Sequence, residues 1–330
     1  MTMKTRRLGK TDVALSEIGF GCGAIGNLYR PVSTADANDV MQCAWDNGFR
    51  YFDTAPFYGH GLSERRVGDF LRDKPEQSYV LSTKVGKLLD PCPSDAVPDH
   101  GFVNPLPFDV RFDYSGDAIR RSHEFSLARL GLNRTDILWV HDLEPKSLGS
   151  AYQSHLANFL DTGIAALEDL KRQGVIRGFG LGVNEVQPCL DVLSRVDLDG
   201  ILLAGRYTLL DRSAERDLIP LCAKRSTSLV IGGVFNSGIL ATGAVEGALY
   251  DYRPAPDNIL KQVAQMEQSA KAAGVTLAQA AMAFPLRNPV VASVLIGTAK
   301  RSSLQRNIDA MTHPVSEAFW AQDSSHTTAR

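Results

Sequence analysis

The sequence predicts a single (β/α)8 barrel, and three observations carry that expectation. Eight short apolar runs, rich in Val, Ile, Leu and aromatic residues, recur along 330 residues without strict polar alternation, as parallel strands covered on both faces do. Amphipathic stretches fill the gaps, each long enough for a right-handed crossover. Residues suited to chemistry stand at the ends of consecutive runs, and a barrel brings its strand ends to one mouth. A six-stranded doubly wound sheet with a helical cap is the alternative architecture.

Taken in order, strands are expected at 16–21, 50–53, 79–84, 137–141, 178–183, 200–204, 228–231 and 293–296. Helical periodicity covers 34–47, 63–71, 115–130, 158–173, 212–224, 258–273 and 302–311. The first, third and fourth of these end at Gly48, Gly131 and Gly174, where a left-handed residue closes a helix. One domain is expected over 1–330, with two interruptions. Residues 85–114 form a long connection carrying Pro91, Pro93, Pro98, Pro105 and Pro107, and connections of that length are usually functional. Residues 144–155 form the second. Following the third and fourth strands, both belong at the C-terminal face, where barrel active sites lie. Residues 315–330 are expected as a C-terminal extension with a polar, frayed tail from 323.

Composition removes several classes of function. Against 35 Lys and Arg stand 37 Asp and Glu, a net charge of −2, so neither nucleic acid nor an anionic membrane is an expected partner. No run approaches 18 uninterrupted apolar residues, and no apolar segment follows the basic start, so neither a span nor a leader is expected. Five scattered cysteines suit a reducing, cytoplasmic setting. No metal-ligand spacing is seen, and the expected partner is a small molecule.

Gly21-Cys22-Gly23-Ala24-Ile25-Gly26 spells a dinucleotide-binding fingerprint. Such a motif must open a helix that receives the pyrophosphate, yet Asn27 to Pro31 follow and no helix starts before Ser33. A tight turn or close approach is the better reading. More specific is Asp53-Thr54-Ala55-Pro56-Phe57-Tyr58-Gly59 after the second strand, with Lys84 ending the third and His141 the fourth.

These residues resemble the aldo-keto reductase superfamily over essentially the full length. The likeness runs through Arg7-Leu8-Gly9-Lys10-Thr11-Asp12, Phe52 to Gly59, Ser82-Thr83-Lys84, Val140-His141 and Gly297 with Asn307. It implies a barrel oxidoreductase with a nicotinamide cofactor and a catalytic tetrad of Asp53, Tyr58, Lys84 and His141. In that scheme Tyr58 moves the proton while hydride moves at carbon. A free phenol titrates near pH ~10, and the Lys84 ammonium, held by Asp53, is expected to lower that value. His141 orients the substrate oxygen.

The resemblance also implies cofactor positions. Asn184 falls where the family holds the carboxamide with a Ser-Asn pair, the serine being absent here. Tyr207 is expected to stack on the nicotinamide or to be a rim aromatic. Ser237, Gly238 and Leu240 match the loop that cradles the pyrophosphate, and Gly297, Ala299 and Asn307 match the last segment. Ala299 occupies the place where NADP-preferring relatives carry a cation, which leans toward NAD, while Lys300 and Arg301 keep NADP open. Within the superfamily the chain resembles most the D-threo-aldose, L-fucose and L-galactose 1-dehydrogenases and the similar pyridoxal 4-dehydrogenase. A lactol substrate is then expected against Phe57, Phe102 and Trp139, with Arg206 nearby, although packing inside its strand is the better reading of Trp139. An NADPH-dependent aldehyde or ketone reductase, or a cofactor-binding regulatory subunit, are the other implied roles.

Overall fold

A computed structural model describes residues 3–317 and 319–321. Eight parallel strands close into a barrel: β1 (Ile18–Gly21), β2 (Tyr51–Asp53), β3 (Val80–Val85), β4 (Ile137–His141), β5 (Gly178–Val183), β6 (Gly200–Ala204), β7 (Ser228–Gly232) and β8 (Val291–Ile296). Each pairs with its neighbours in chain order, and β8 returns to β1. Closure excludes the doubly wound sheet. Strand by strand, the apolar runs mark the barrel to within a few residues, because burial on both faces leaves no room for polar alternation.

The barrel interior is a packed core. Leu8, Leu15, Tyr51, Ile137, Trp139, Leu202 and Val230 belong to one buried cluster inside it. An antiparallel hairpin, Thr5–Arg7 with Ala14–Ser16, precedes β1 and contributes Leu8 and Leu15. Glycines make the room for Trp139: a Cβ on Gly180 or Gly182 would stand 3.2 or 3.1 Å from its side chain. Trp139 is therefore fully buried and donates through Nε1 to Tyr51 Oη at 3.3 Å. It is interior packing, so the expectation that it lines the mouth is corrected.

The helical ring is built as the caps predict. Ser33 accepts from the Asp36 amide at the head of α1 (Thr34–Asp46), and Ser115 from Ala118 at the head of α3 (Gly116–Leu130). Between them lies α2 (Leu62–Leu71). Several elements differ from expectation. The 85–114 connection contains an antiparallel ribbon, Lys87–Pro91 against Phe108–Phe112. Residues 144–155 hold short helical turns, and Tyr152–Asn158 runs through a π turn into α4 (Ile164–Arg172). Helices α5 (Val186–Leu193) and, beyond α6 (Leu218–Arg225) and α7 (Asp257–Ala272), α8 (Leu277–Leu286) were not expected. The last is α9 (Arg301–Met311). Of the 315–330 extension, residues 322–330 lie outside the described part. No helix among the described residues is long and apolar enough to cross a membrane.

Candidate active site

The ends of β2, β3 and β4 set Asp53, Lys84 and His141 side by side. Register pairs Asp53 with Ser82 and Lys84 with Trp139. Lys84 Nζ donates to Asp53 Oδ2 at 2.5 Å and to the Thr54 carbonyl at 2.9 Å. Both side chains are almost fully buried. Asp53 Oδ1 accepts from Ser82 Oγ at 2.6 Å, Ser82 Oγ lies 3.0 Å from Tyr51 Oη, and Tyr51 Oη receives Trp139 Nε1. An indole can only donate and a carboxylate can only accept, so every hydroxyl in this chain points its proton toward Asp53. The carboxylate is fixed from beneath by that chain and from above by Lys84.

Tyr58 enters from the turn after β2, and the glycines explain its approach. A Cβ at Gly26 would lie 2.8 Å from the Tyr58 carbonyl carbon, and one at Gly59, whose φ is +64°, 2.4 Å from Gly26 O. Gly23 faces the Tyr58 ring at 3.7 Å. The 21–26 motif thus buttresses a tyrosine and forms a short 3-10 turn at Ala24–Gly26; no helix follows it to receive a pyrophosphate. Lys84 Nζ stands 4.8 Å from the Tyr58 ring centre, and the His141 ring meets Tyr58 edge-on at 5.9 Å. Tyr58 is partly exposed, whereas Asp53, Lys84 and His141 are buried.

Burial governs the electrostatics. It pushes His141 well below its ordinary value, so the imidazole is neutral, and its Nδ1 is buried without a partner. Burial also raises Asp53, against the pull of Lys84 and Ser82. Tyr58 is held well above its ordinary value, first by burial and then by the charges of Asp53 and Asp142. The expected lowering by Lys84 is absent here, because that ammonium is already bonded to Asp53. Tyr58 is a protonated phenol in this state.

A second layer of charge lies beside the first, and the sequence reading missed it. Lys87 Nζ donates to Asp142 Oδ2 at 2.5 Å and stands 3.8 Å from the Phe57 ring centre. Asp142 Oδ2 is 3.7 Å from His141 Nε2. Burial pushes the Asp142 carboxyl up; with His141 neutral, it is the Lys87 ammonium that outweighs this and holds it low. Glu144 is driven up to about 7 by burial and by Asp142, opposed by two hydrogen bonds from Asn184. Lys87 carries no readable signal, since a lysine after a strand resembles an exposed end.

Residues 17–327 match the aldo/keto reductase family. The chain belongs to that family. It is 42% identical over 325 residues to a pyridoxal 4-dehydrogenase from Microbacterium luteolum, covering 96% of this chain and 95% of the other. A D-threo-aldose 1-dehydrogenase from Pseudomonas sp is 36% identical over 315 residues, covering 94% and 93%. Among solved structures, an aldo-keto reductase from Bacillus halodurans in its holo form superposes with a TM-score of 0.77 at 27% identity, covering 98% and 96%. The protein is an aldo/keto reductase, an oxidoreductase of a family that uses nicotinamide cofactors.

Other residues of this aldo/keto reductase fall into two groups. Phe57 and Phe102 meet edge-to-face at 5.4 Å, and Phe57 meets His141 at 5.9 Å, so both belong to the mouth. Asn184 follows β5 and donates through Nδ2 to Asp142 Oδ1 and Glu144 Oε1. Both amide hydrogens are used, which fixes the flip and leaves Oδ1 as the free acceptor. Ser237 and Gly238 sit in a left-handed turn after β7, and Leu240 is buried behind it. Gly297 packs so closely on Gly21 that a Cβ would lie 2.6 Å from Gly21 O; Ala299 is buried and Asn307 is half-buried on α9.

Two residues are not free to meet a ligand at the mouth. Tyr207 is buried with its ring 5.2 Å from Phe284 of α8, so the expectation of stacking on the nicotinamide is corrected, and it is not a rim aromatic either. Arg206 does not stand free for substrate. Its Nε donates to Asn184 O, Nη1 to Asp211 and Nη2 to Asp251, tying down a hairpin, Leu249–Tyr250 with Arg253–Pro254. That hairpin presents Tyr252, whose amide donates to Ser237 Oγ.

Proposed function

We propose that this aldo/keto reductase is a cytoplasmic, NAD-preferring dehydrogenase that oxidises the hemiacetal carbon of a small cyclic lactol to a lactone. The substrate is pyridoxal or an aldose such as L-fucose or L-galactose. One observation carries the reading: Tyr58, the partly exposed member of the tetrad, stands over a buried Lys84–Asp53 pair and beside a neutral His141. That arrangement suits proton transfer at an oxygen while hydride leaves the carbon that bears it. The named substrates of the two relatives, pyridoxal and D-threo-aldoses, both close into cyclic hemiacetals, which supports the lactol.

The residues fit a nicotinamide cofactor. Asn184 Oδ1 is oriented as a free acceptor for a carboxamide, Gly233 is exposed at the end of β7, and a Cβ on Gly238 would meet nothing within 4 Å. Asn184, the 237–240 turn, Gly297, Ala299 and Asn307 would hold it. Once bound, it supplies the hydride acceptor and a positive charge. Arg301 is already paired with Asp39 at 2.7 Å, and Ala299 offers no cation, which supports NAD over NADP. All five cysteines are free, which supports a reducing compartment.

The chain's own groups then divide the work. Tyr58 Oη takes the proton of the anomeric hydroxyl. His141, neutral, donates toward the same oxygen and orients it. Lys84 and Asp53 keep a fixed charge under the phenol. Because burial and two carboxylates hold the Tyr58 proton tightly, the phenolate fraction grows with each step up in pH. The rate of lactol oxidation is therefore expected to climb from pH 6 through at least pH 9. Initial rates of NADH formation at saturating NAD check this; a flat profile over that range would contradict the role of Tyr58.

The deciding experiment is a screen of NADH formation with L-fucose, L-galactose, D-arabinose and pyridoxal, run in parallel with NADP. Turnover of at least one lactol, with kcat/KM favouring NAD at least about tenfold, is expected, a margin worth ~1.4 kcal/mol. No oxidation, with NADPH-dependent reduction of simple aldehydes instead, would replace the reading by a reductase. Binding of NAD without any turnover would make it a regulatory subunit.

A further inference from the structure

The Lys87–Asp142 pair lies beside the catalytic set and has no task in the proton transfer described above. Lys87 is 3% exposed, held between the rings of Phe57 at 3.8 Å and Phe112 at 5.1 Å. Its ammonium donates to Asp142 Oδ2. Asp142 is itself in a left-handed conformation, φ +52°, which an aspartate tolerates better than most residues. A buried ion pair is weak evidence for stability, since desolvation consumes much of its attraction. Its position is more telling than its strength. Asp142 Oδ2 is 3.7 Å from His141 Nε2, and Phe57, beneath Lys87, packs edge-on against the His141 ring. Whatever oxygen His141 orients, the pair is next to it.

We propose that Lys87 and Asp142 form the element of this site that selects its substrate, by reading a second oxygen carried close to the reacting carbon, one carbon away in an aldose and two carbons away in pyridoxal. This rests on the lactol reading above. In an aldose that oxygen is the 2-hydroxyl, on the carbon bonded to the anomeric carbon. In pyridoxal it is the 3-oxygen, on the ring carbon next to the one that bears the hemiacetal. A hydroxyl needs one donor and one acceptor, and the pair offers both: an ammonium with N–H groups to spare and a carboxylate oxygen. A phenolate needs a cation, which Lys87 supplies.

With that pair in place, a lactol lacking the oxygen is expected to be a poor substrate. Such a molecule covers the mouth, removes water from the partly exposed Asp142 and returns no hydrogen bond to the pair, so the unmet polar groups count against it. Sites built to bond a substrate hydroxyl reject analogues without it by factors up to ~10^4 to 10^5. A pair already bonded to itself loses less, and discrimination of at least about 100-fold is expected. Intrinsic reactivity runs the other way for the sugar, because an electron-withdrawing 2-oxygen slows hydride departure. A preference for the oxygenated sugar therefore comes from the site.

The test compares kcat/KM of the full-length enzyme with NAD for L-fucose against 2-deoxy-L-fucose, and for pyridoxal against 3-deoxypyridoxal. The wild-type ratio needs no variant: it should reach at least about 100 for whichever pair is turned over. Lys87→Met and Asp142→Asn, each checked for a cooperative thermal transition, should bring that ratio to within about tenfold of one. A wild-type ratio near one overturns the inference while leaving lactol oxidation intact. So does a large ratio that survives in either folded variant. Should Lys87→Met fail to fold, Asp142→Asn decides. If none of the four lactols is oxidised, it is the underlying reading that fails.

Discussion

Tyr58→Phe should lose turnover by about 10^3-fold or more while NAD binding stays within a few-fold of the wild type. The hydroxyl does nothing for the fold: the turn that carries it is set by glycines at 26 and 59, whose Cβ atoms would collide with the facing backbone, and among the described residues no hydrogen bond of Tyr58 Oη holds another element in place. Removing one oxygen from a half-exposed ring leaves the Lys84–Asp53 pair and His141 as they are. What disappears is the proton acceptor, and general acid–base catalysis contributes ~10^2 to 10^4-fold on its own. Quenching of intrinsic fluorescence by NAD, together with the NADH-formation rate, separates the two effects. Residual activity above about one part in a hundred would mean that another group moves the proton.

Legibility in the sequence followed burial. The eight barrel strands were readable because parallel strands covered on both faces must be apolar throughout. The meeting of Asp53, Lys84 and His141 was readable because they are polar residues ending such runs, a position that costs stability unless used. What failed has physical causes. Helix α8 is apolar almost all round and carries Pro285 inside it, so it shows no clean periodicity, while α5 is short and its Pro188 in the first turn reads as a break. Tyr207 and Trp139 were placed by chain position at strand ends, yet side-chain direction decides: Trp139 turns into space left by Gly180 and Gly182, and Tyr207 turns outward to Phe284. Arg206 read as a free cation, because two of its three partners, the Asn184 carbonyl and Asp251, come from distant segments. Lys87, Asp142 and Glu144 escaped for the converse reason. Their importance lies in mutual contact across the mouth, and spacing along the chain carries no trace of it.

Lys84→Met should both abolish oxidation and destabilise the protein, with the second effect strongest at neutral pH. The substitution removes the ammonium that balances Asp53 and leaves a carboxylate 2% exposed with Ser82 as its remaining side-chain donor. Breaking a buried pair in this way typically costs ~3–5 kcal/mol, a fall in melting temperature on the order of 5–10 °C for a chain of this size. Burial already raises the Asp53 carboxyl, and without Lys84 it rises further. An acid whose folded value exceeds its unfolded one binds more protons when folded, so stability falls as pH rises above the unfolded value of ~3.9. The deficit relative to wild type should therefore be largest at pH 7 to 8 and shrink toward pH 5. Asp53→Asn combined with Lys84→Met removes both charges, and it should recover much of the melting temperature while restoring no activity. Thermal melts of the three proteins from pH 5 to 8 check this. A deficit that is flat with pH would show that the pair is not buried and ionised as described, and recovery of activity in the double variant would show that Lys84 acts on the fold alone.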